Sequence, residues 1–250
     1  MTSHFFWVHL SKGRKIHWVS WQSMCPPKSH GGPGFSDLEI FNRALMAKQG
    51  WRILFNSESL VARVLKGKYF NFGDFLNARS GSNPSYLWPN LLWGRDLLSR
   101  GIRWRIGNGI YVRIFDDPWI PFPARFRPIS LRLASSSYLV AELINSTGGW
   151  NVNAISSSLL LDVDIILSIP LCPSSLEDSL LWHFDSKGLF SVKSCYHLGF
   201  SLAHADAASL SDSQRYVRNN LWAARVPRKI LIFMCQFFQN ALPSFVNLWR

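Results

Sequence analysis

From Gly31 to Leu54 the chain reads GGPGFSDLEIFNRALMAKQGWRIL, and no other stretch restricts the fold as much. Gly31–Gly34 form a turn, Ser36 and Glu39 stand at the spacing of a capping box, and Leu38, Phe41 and Leu45 then share a helical face with Ala44 beside them. A helix begun this firmly leaves an apolar stripe that other elements must cover. Gly50 is expected to end it or bend it. The same period recurs in Ser59–Phe70, with Leu60, Val64 and Leu65 expected inward. It recurs again in Asn83–Gly101, with Pro89 in the first turn and Gly101 just past the end.

Two stretches change period. In IRWRIGNGIYVRIF (Ile102–Phe115), Trp104 and Ile106 alternate with Arg103 and Arg105, Gly107-Asn108-Gly109 makes a turn, and Tyr111–Phe115 returns. The segment Asp178–Phe200 predicts a second hairpin turning at Asp185–Gly188, then a helix from Ser191 or Ser194. Short helices are expected at Ala141–Ile144 and Ser157–Pro170, and two helices broken at Pro227 in Arg215–Ser244. The expected class is α+β, mostly helical with two β-hairpins and no large sheet. Prolines crowd Pro118–Pro128 and set the expected segments. These are a basic region over 1–125, a linker-like region with short helices over 126–177, and a third region over 178–250.

The charge is uneven. The net +12 divides into +10 over residues 1–125 and +2 over 126–250. A basic half points to a polyanionic partner, foremost nucleic acid, with an acidic protein or an anionic membrane as competing readings. Charged residues are only 17% and Trp numbers 12, so apolar surface is expected to remain outside the core unless the core is generous. No stretch approaches the 18 or so apolar residues of a membrane span. Cys25, Cys172, Cys195 and Cys235 are scattered, which fits a reducing, intracellular setting.

Asp116-Asp117 is the paired acid of the basic half. Two-metal phosphoryl transfer needs such a pair in a hairpin turn with a further carboxylate beside it. Here the pair follows the hairpin and precedes Pro118, so a solvated turn with Asx-type hydrogen bonds is the expectation. His17, Cys25 and His30, and the Cys195-Tyr196-His197 triplet, lack structural zinc spacing. No Ser-His-Asp grouping, P-loop or GxGxxG stands out.

Basic and aromatic residues interleave in RWRIGNGIYVR. Arg103 and Arg105 are expected on one face with Arg113 joining or flanking them, and Trp104 and Tyr111 as stacking surfaces. Arg43, Lys48, Arg52, Arg63, Lys66 and Lys68 extend the candidate nucleic-acid surface along two helices. The competing reading makes the aromatics core and the arginines a solvated face.

The segments GRKIHWVSWQSMCPPKSHGGPGFSDLEIFNRALMAKQGWRI, NPSYLWPNLLWGRDLLSRGIRWRIGNG and IFDDPWIP resemble the region that follows the polymerase core in plant LINE-type (non-LTR) retrotransposon reverse transcriptases. WHFDSKGLFSVKSCYHL and LWAARVPRKILIFMCQFFQNALPSFVNLWR resemble the start of that family's reverse-transcriptase zinc-binding domain. At Cys235 and Gln236 the chain departs from the family's aromatic-plus-Arg pair and loses a positive charge. The resemblance implies that the polymerase acids lie before Met1, and the zinc ligands and ribonuclease H part after Arg250. It therefore implies a truncated fragment that is not itself an enzyme and holds no zinc or other cofactor. Its implied partners are RNA or DNA, bound non-specifically, and other parts of a retroelement polyprotein, with no membrane. Two other readings stay open: part of an active RNA-directed DNA polymerase with a mispredicted gene, and a domesticated protein-interaction module.

Overall fold

The structure, a computed structural model, describes residues 21–25, 34–122, 126–132, 139–171, 176–204, 220 and 224–238. The described contacts divide the chain into two compact units, residues 1–41 with 200–250, and residues 42–199. In the first unit Trp21–Met24 form a single helical turn, α1. Phe35 closes back on it through its N–H to the Met24 carbonyl at 3.1 Å and a ring contact with Trp21 at 5.5 Å. Cys25 is buried there, and burial followed by the nearby Asp37 charge pushes its thiol up to about 11.

Helix α2 spans Leu38–Phe55. Its cap is Asp37 rather than Ser36: the Asp37 carboxylate accepts the N–H groups of Glu39 and Ile40 at 2.9 and 3.1 Å. The stripe it buries is Ala44, Ala47, Gly50 and Ile53, whereas Leu38 and Phe41 stay 38% and 39% exposed. Small residues are needed because helix α4 (Leu87–Leu98) lies so close that a Cβ on Gly94 would stand 2.6 Å from backbone atoms of Met46 and Ala47. Gly50 neither ends nor breaks α2. Its missing side chain makes room for Phe75, whose ring would be 2.8 Å from a Cβ there.

Between them lies α3 (Leu60–Tyr69). The inward face expected here is corrected: Leu60 and Val64 are 75% and 59% exposed, and Ala62 is the buried residue, with Leu65 and Tyr69 packed beside it.

Strand β1 (Ile102–Arg105) pairs antiparallel with β2 (Ser179–Trp182), Ile102 opposite Trp182 and Arg105 opposite Ser179. This is a two-stranded sheet in a mostly helical chain, as the composition of the elements predicts. Both expected hairpins supply a strand, but the strands pair with each other and not with their own return segments. The reason lies in the turns. After β1 the N–H groups of Gly107, Gly109 and Tyr111 all point at the Asp178 carboxylate, at 2.7, 2.9 and 3.0 Å, so they are withdrawn from any return ladder. After β2 the Trp182 N–H goes to the Gly188 carbonyl at 2.9 Å, closing the turn on itself.

Trp182 is fully buried and joins the sheet to Ala44, Ala47, Leu98 and Cys195 in one core. A second core gathers Phe75, Trp88 and Leu91 around Ala62. A third lies under Ile106, Val112, Ile114 and Trp119, covered by the short helices α5 (Val152–Ser158) and α6 (Val163–Leu167). Asp162, 1% exposed, holds that region by accepting the N–H groups of Ile129 and Ser130. Helix α7 (Val192–Ala203) follows β2, with Ser191 accepting the Ser194 N–H at 3.1 Å, and α8 (Arg228–Phe238) begins after Pro227. His17, His30, Cys172 and the closing LPSFVNLWR lie outside the described residues.

Candidate nucleic-acid interface

Helix α3 is built to stand in water on most of its circumference. Ser59 caps it by accepting the Ala62 N–H at 3.3 Å, and the Phe70 N–H returns to the Lys66 carbonyl at 3.1 Å. The helix contains no acid, and Lys66 and Lys68 occupy its last turn, where the helix dipole favours cations. Arg63, Lys66 and Lys68 are all exposed. The Lys68 ammonium stands 5.2 Å from the Tyr69 ring centroid. On α2, Lys48 and Arg52 are exposed one turn apart, on the side away from Ala44, Ala47 and Ile53. Among the described residues none of these five cations is in an ion pair.

Arg43 is placed differently. Its Nε donates to the Trp93 carbonyl at 3.0 Å and its guanidinium lies 5.4 Å from the Trp93 ring, so it serves helix packing between α2 and α4. It also faces the buried Cys195, whose thiol burial pushes up to about 12 against the opposing pull of the Arg43 charge. Both described thiols are therefore protonated near neutrality and, as free thiols, poor nucleophiles.

On β1, Arg103 and Arg105 share a face as expected, but only Arg105 is exposed. Arg103 is half-buried and donates from Nε to His183 Nδ1 at 3.2 Å. An Nδ1 that accepts leaves the imidazole proton on Nε2. Burial, and then the Arg105 charge, lower the Arg103 pKa from its ordinary value. The His183 pKa is lowered as well, by burial first and the Arg103 charge second. Trp104 is half-buried against the third core, with its N–H held by the Pro118 carbonyl at 2.6 Å.

Arg113 is engaged by the acidic pair. Its guanidinium meets Asp117 at 3.2 Å and Asp116 at 3.9 Å, and the Asp117 hydrogen bond raises its pKa. Asp117 also accepts the Arg113 N–H at 2.8 Å, and Arg132 reaches Asp116 at 3.8 Å. The pair Asp116-Asp117 is thus engaged by two arginines, and Asp117 reaches back four residues to the Arg113 N–H, in place of the solvated turn with Asx-type bonds that the sequence predicts. Among the described residues no three His, Cys, Asp or Glu side chains converge as metal ligands. The same residues contain no helix long and apolar enough to cross a membrane.

Sequence reasoning missed Asp178. Its role depends on a loop about 70 positions away, and only the Gly-Asn-Gly run, which frees backbone N–H groups to converge, hinted that something would be gripped there.

Comparison with known proteins adds kinship to this geometry. An Arabidopsis thaliana protein named "Uncharacterized mitochondrial protein AtMg00310" is 42% identical over 119 residues, which are 47% of this chain and 77% of that protein. The chain belongs to its family. An Arabidopsis thaliana protein named "Putative ribonuclease H protein At1g65750" is 30% identical over 239 residues, 92% of this chain. The chain spans 37% of the length of that relative. Its name corrects one expectation. The chain was expected not to be an enzyme, yet a relative matching nearly all of it carries an enzyme's name. No family model and no solved structure matches the chain.

Proposed function

We propose that this chain is a nucleic-acid-handling part of a retroelement-type protein that joins reverse transcription to ribonuclease H chemistry, and that it grips RNA or DNA by the phosphate backbone. The supporting observation is the surface of α2 and α3, where Lys48, Arg52, Arg63, Lys66 and Lys68 are exposed and outside ion pairs. Residues 42–105 contain eleven Lys and Arg against three Asp and Glu, a surplus of eight. Kinship with a protein named for ribonuclease H supports the nucleic-acid class and makes an RNA–DNA hybrid the first duplex to try. Arg105 is a further exposed cation, on β1, whereas Arg43, Arg103 and Arg113 spend their guanidinium groups on Trp93, His183 and the acidic pair.

Phosphate contacts carry no base information, so binding is non-specific and salt-dependent. Neutralising about 4–6 phosphates gives a log–log salt slope of roughly −3 to −5. Replacing Lys48, Arg52, Arg63, Lys66 and Lys68 by Gln is expected to flatten that slope by about 3–4, read by fluorescence anisotropy of a labelled hybrid across a salt series. A folded variant with an unchanged slope would remove α2 and α3 from the interface.

A further inference from the structure

Two aromatic rings stand in solvent where α3 leads into α4. Phe72 is fully exposed (102%) and Tyr86 is 93% exposed. Single exposed apolar residues need no explanation. These two differ because hydrogen bonds and ring contacts tie down the backbone beneath them. The Tyr69 hydroxyl donates to Ser85 Oγ at 2.9 Å and accepts the Ser85 N–H at 2.9 Å, tying the end of α3 to the residue before Tyr86. Tyr69 in turn lies flat on Trp88, ring centroids 4.1 Å apart and planes 5° from parallel. Trp88 is buried and its indole N–H is held by the Arg79 carbonyl at 3.1 Å. The turn that presents Phe72 is closed by the Gly73 N–H on the Phe70 carbonyl at 3.1 Å. Rings on such a frame lose side-chain freedom on binding, but the backbone adds less of the ordering cost that a mobile loop would bring.

The surroundings are cationic. Arg63, Lys66 and Lys68 precede the junction on α3, and the exposed Arg79 lies within it. Asp74 is the sole acid from Phe70 to Tyr86, and its carboxylate accepts both the backbone and side-chain N–H groups of Asn77 at 2.8 and 3.1 Å. Bare rings beside phosphate-seeking cations complement one class of ligand. A duplex keeps its base faces stacked inside, so only unpaired bases can meet such rings.

We infer that Phe72 and Tyr86 form a stacking platform for unpaired bases, so that the protein holds single-stranded RNA or DNA in preference to duplex. This rests on the nucleic-acid reading above and names the strand form that the basic surface serves. The cations of α3 hold the backbone, and the two rings take bases.

The test uses the full chain, a fluorescein-labelled oligouridylate of about 15 nucleotides, and an RNA–DNA hybrid of the same length. Phe72→Ala and Tyr86→Ala are each expected to weaken oligouridylate binding about fivefold to 150-fold, and to leave hybrid affinity and the salt slope unchanged. Phe72→Leu and Tyr86→Leu keep apolar bulk without a π-face, and the same loss is expected from them. Wild-type oligouridylate affinity in the double Ala variant would overturn the platform and leave the rings to a protein partner. Equal losses on both probes would overturn it too, since the rings would then touch something that single and double strands share. A wild-type chain that binds neither probe at low salt sinks the nucleic-acid reading itself, which separates the two failures.

Discussion

Gly101 and Gly67 put two glycines of this chain to opposite tests. A Cβ on Gly101 would lie 2.3 Å from the ring of Trp182, which is fully buried and held by its indole N–H on Ser194 at 2.8 Å. That ring cannot retreat without opening the core, so Gly101→Ala is expected to cost about 1–3 kcal/mol by overpacking. Gly67 sits inside α3 with nothing within 4 Å of a Cβ. Gly67→Ala is expected to stabilise by about 0.5–1 kcal/mol through helix propensity. Urea midpoints moving in opposite directions check both. His183 gives a pH dependence whose sign follows from its surroundings. Its ring lies 4.9 Å from Phe126 and 5.1 Å from Phe184, and accepts the Arg103 Nε–H, so protonation is disfavoured in the fold. Its folded pKa is lowered from 6.5. Above that ordinary value the ring is neutral in both states and its contribution is fully present. As pH falls below it the unfolded chain takes the proton first, so stability drops until the folded pKa is passed and then levels off. His183→Gln keeps an acceptor for Arg103 without titrating. The loss of stability between about pH 7.5 and pH 5 is expected to be smaller in that variant, measured by urea unfolding at each pH.

At the scale of elements, α3 shows where pattern reading succeeds and where it fails. Its limits are visible in the sequence, but its Ser59 cap and the face it buries emerge only in the structure. Ala62 and Leu60 are two positions apart, nearly opposite on a helix turning about 100° per residue. The large apolar residues drew the reading to Leu60 and Val64, while the close packing of Phe75, Trp88 and Leu91 selects the small Ala62. The same logic hid the Ala44–Ala47 stripe of α2, because a close helix crossing rewards the absence of bulk. The strands were legible by their alternation and their turns. Their pairing was not, because the decisive partner of the Gly107–Tyr111 amides is Asp178, in the other segment. In the candidate site, the exposed cations of α2 and α3 were legible as a basic helical surface. The engagement of Arg43, Arg103 and Arg113 was not, since each partner is set by packing or by a turn that composition does not reveal. The cap itself gives a prediction. Ser59→Ala removes the acceptor for the Ala62 N–H and is expected to cost about 0.5–2 kcal/mol. Because α3 carries three of the proposed phosphate contacts, the same change is expected to weaken hybrid binding modestly while the salt slope stays put, seen by anisotropy beside urea unfolding.

At the scale of the whole molecule, three cores share the work, and the one around Trp182 is completed by chain regions far apart in sequence. Ile102 opposes Trp182, positions 80 apart, and the Gly101 carbonyl takes the His183 N–H at 2.8 Å just beyond the ladder. The ladder partner of β1 therefore arrives late. On a ribosome adding about 5–20 residues per second, β1 emerges roughly 4–16 s before its partner strand. During that interval Ile102 and Trp104 lie on an open strand edge, beside helices whose apolar stripe lacks its Trp182 cover. The newborn chain is most adhesive between the synthesis of Arg105 and that of Ser179. Whatever slows elongation across that interval, or draws a chaperone to it, governs how much of the protein reaches its folded form.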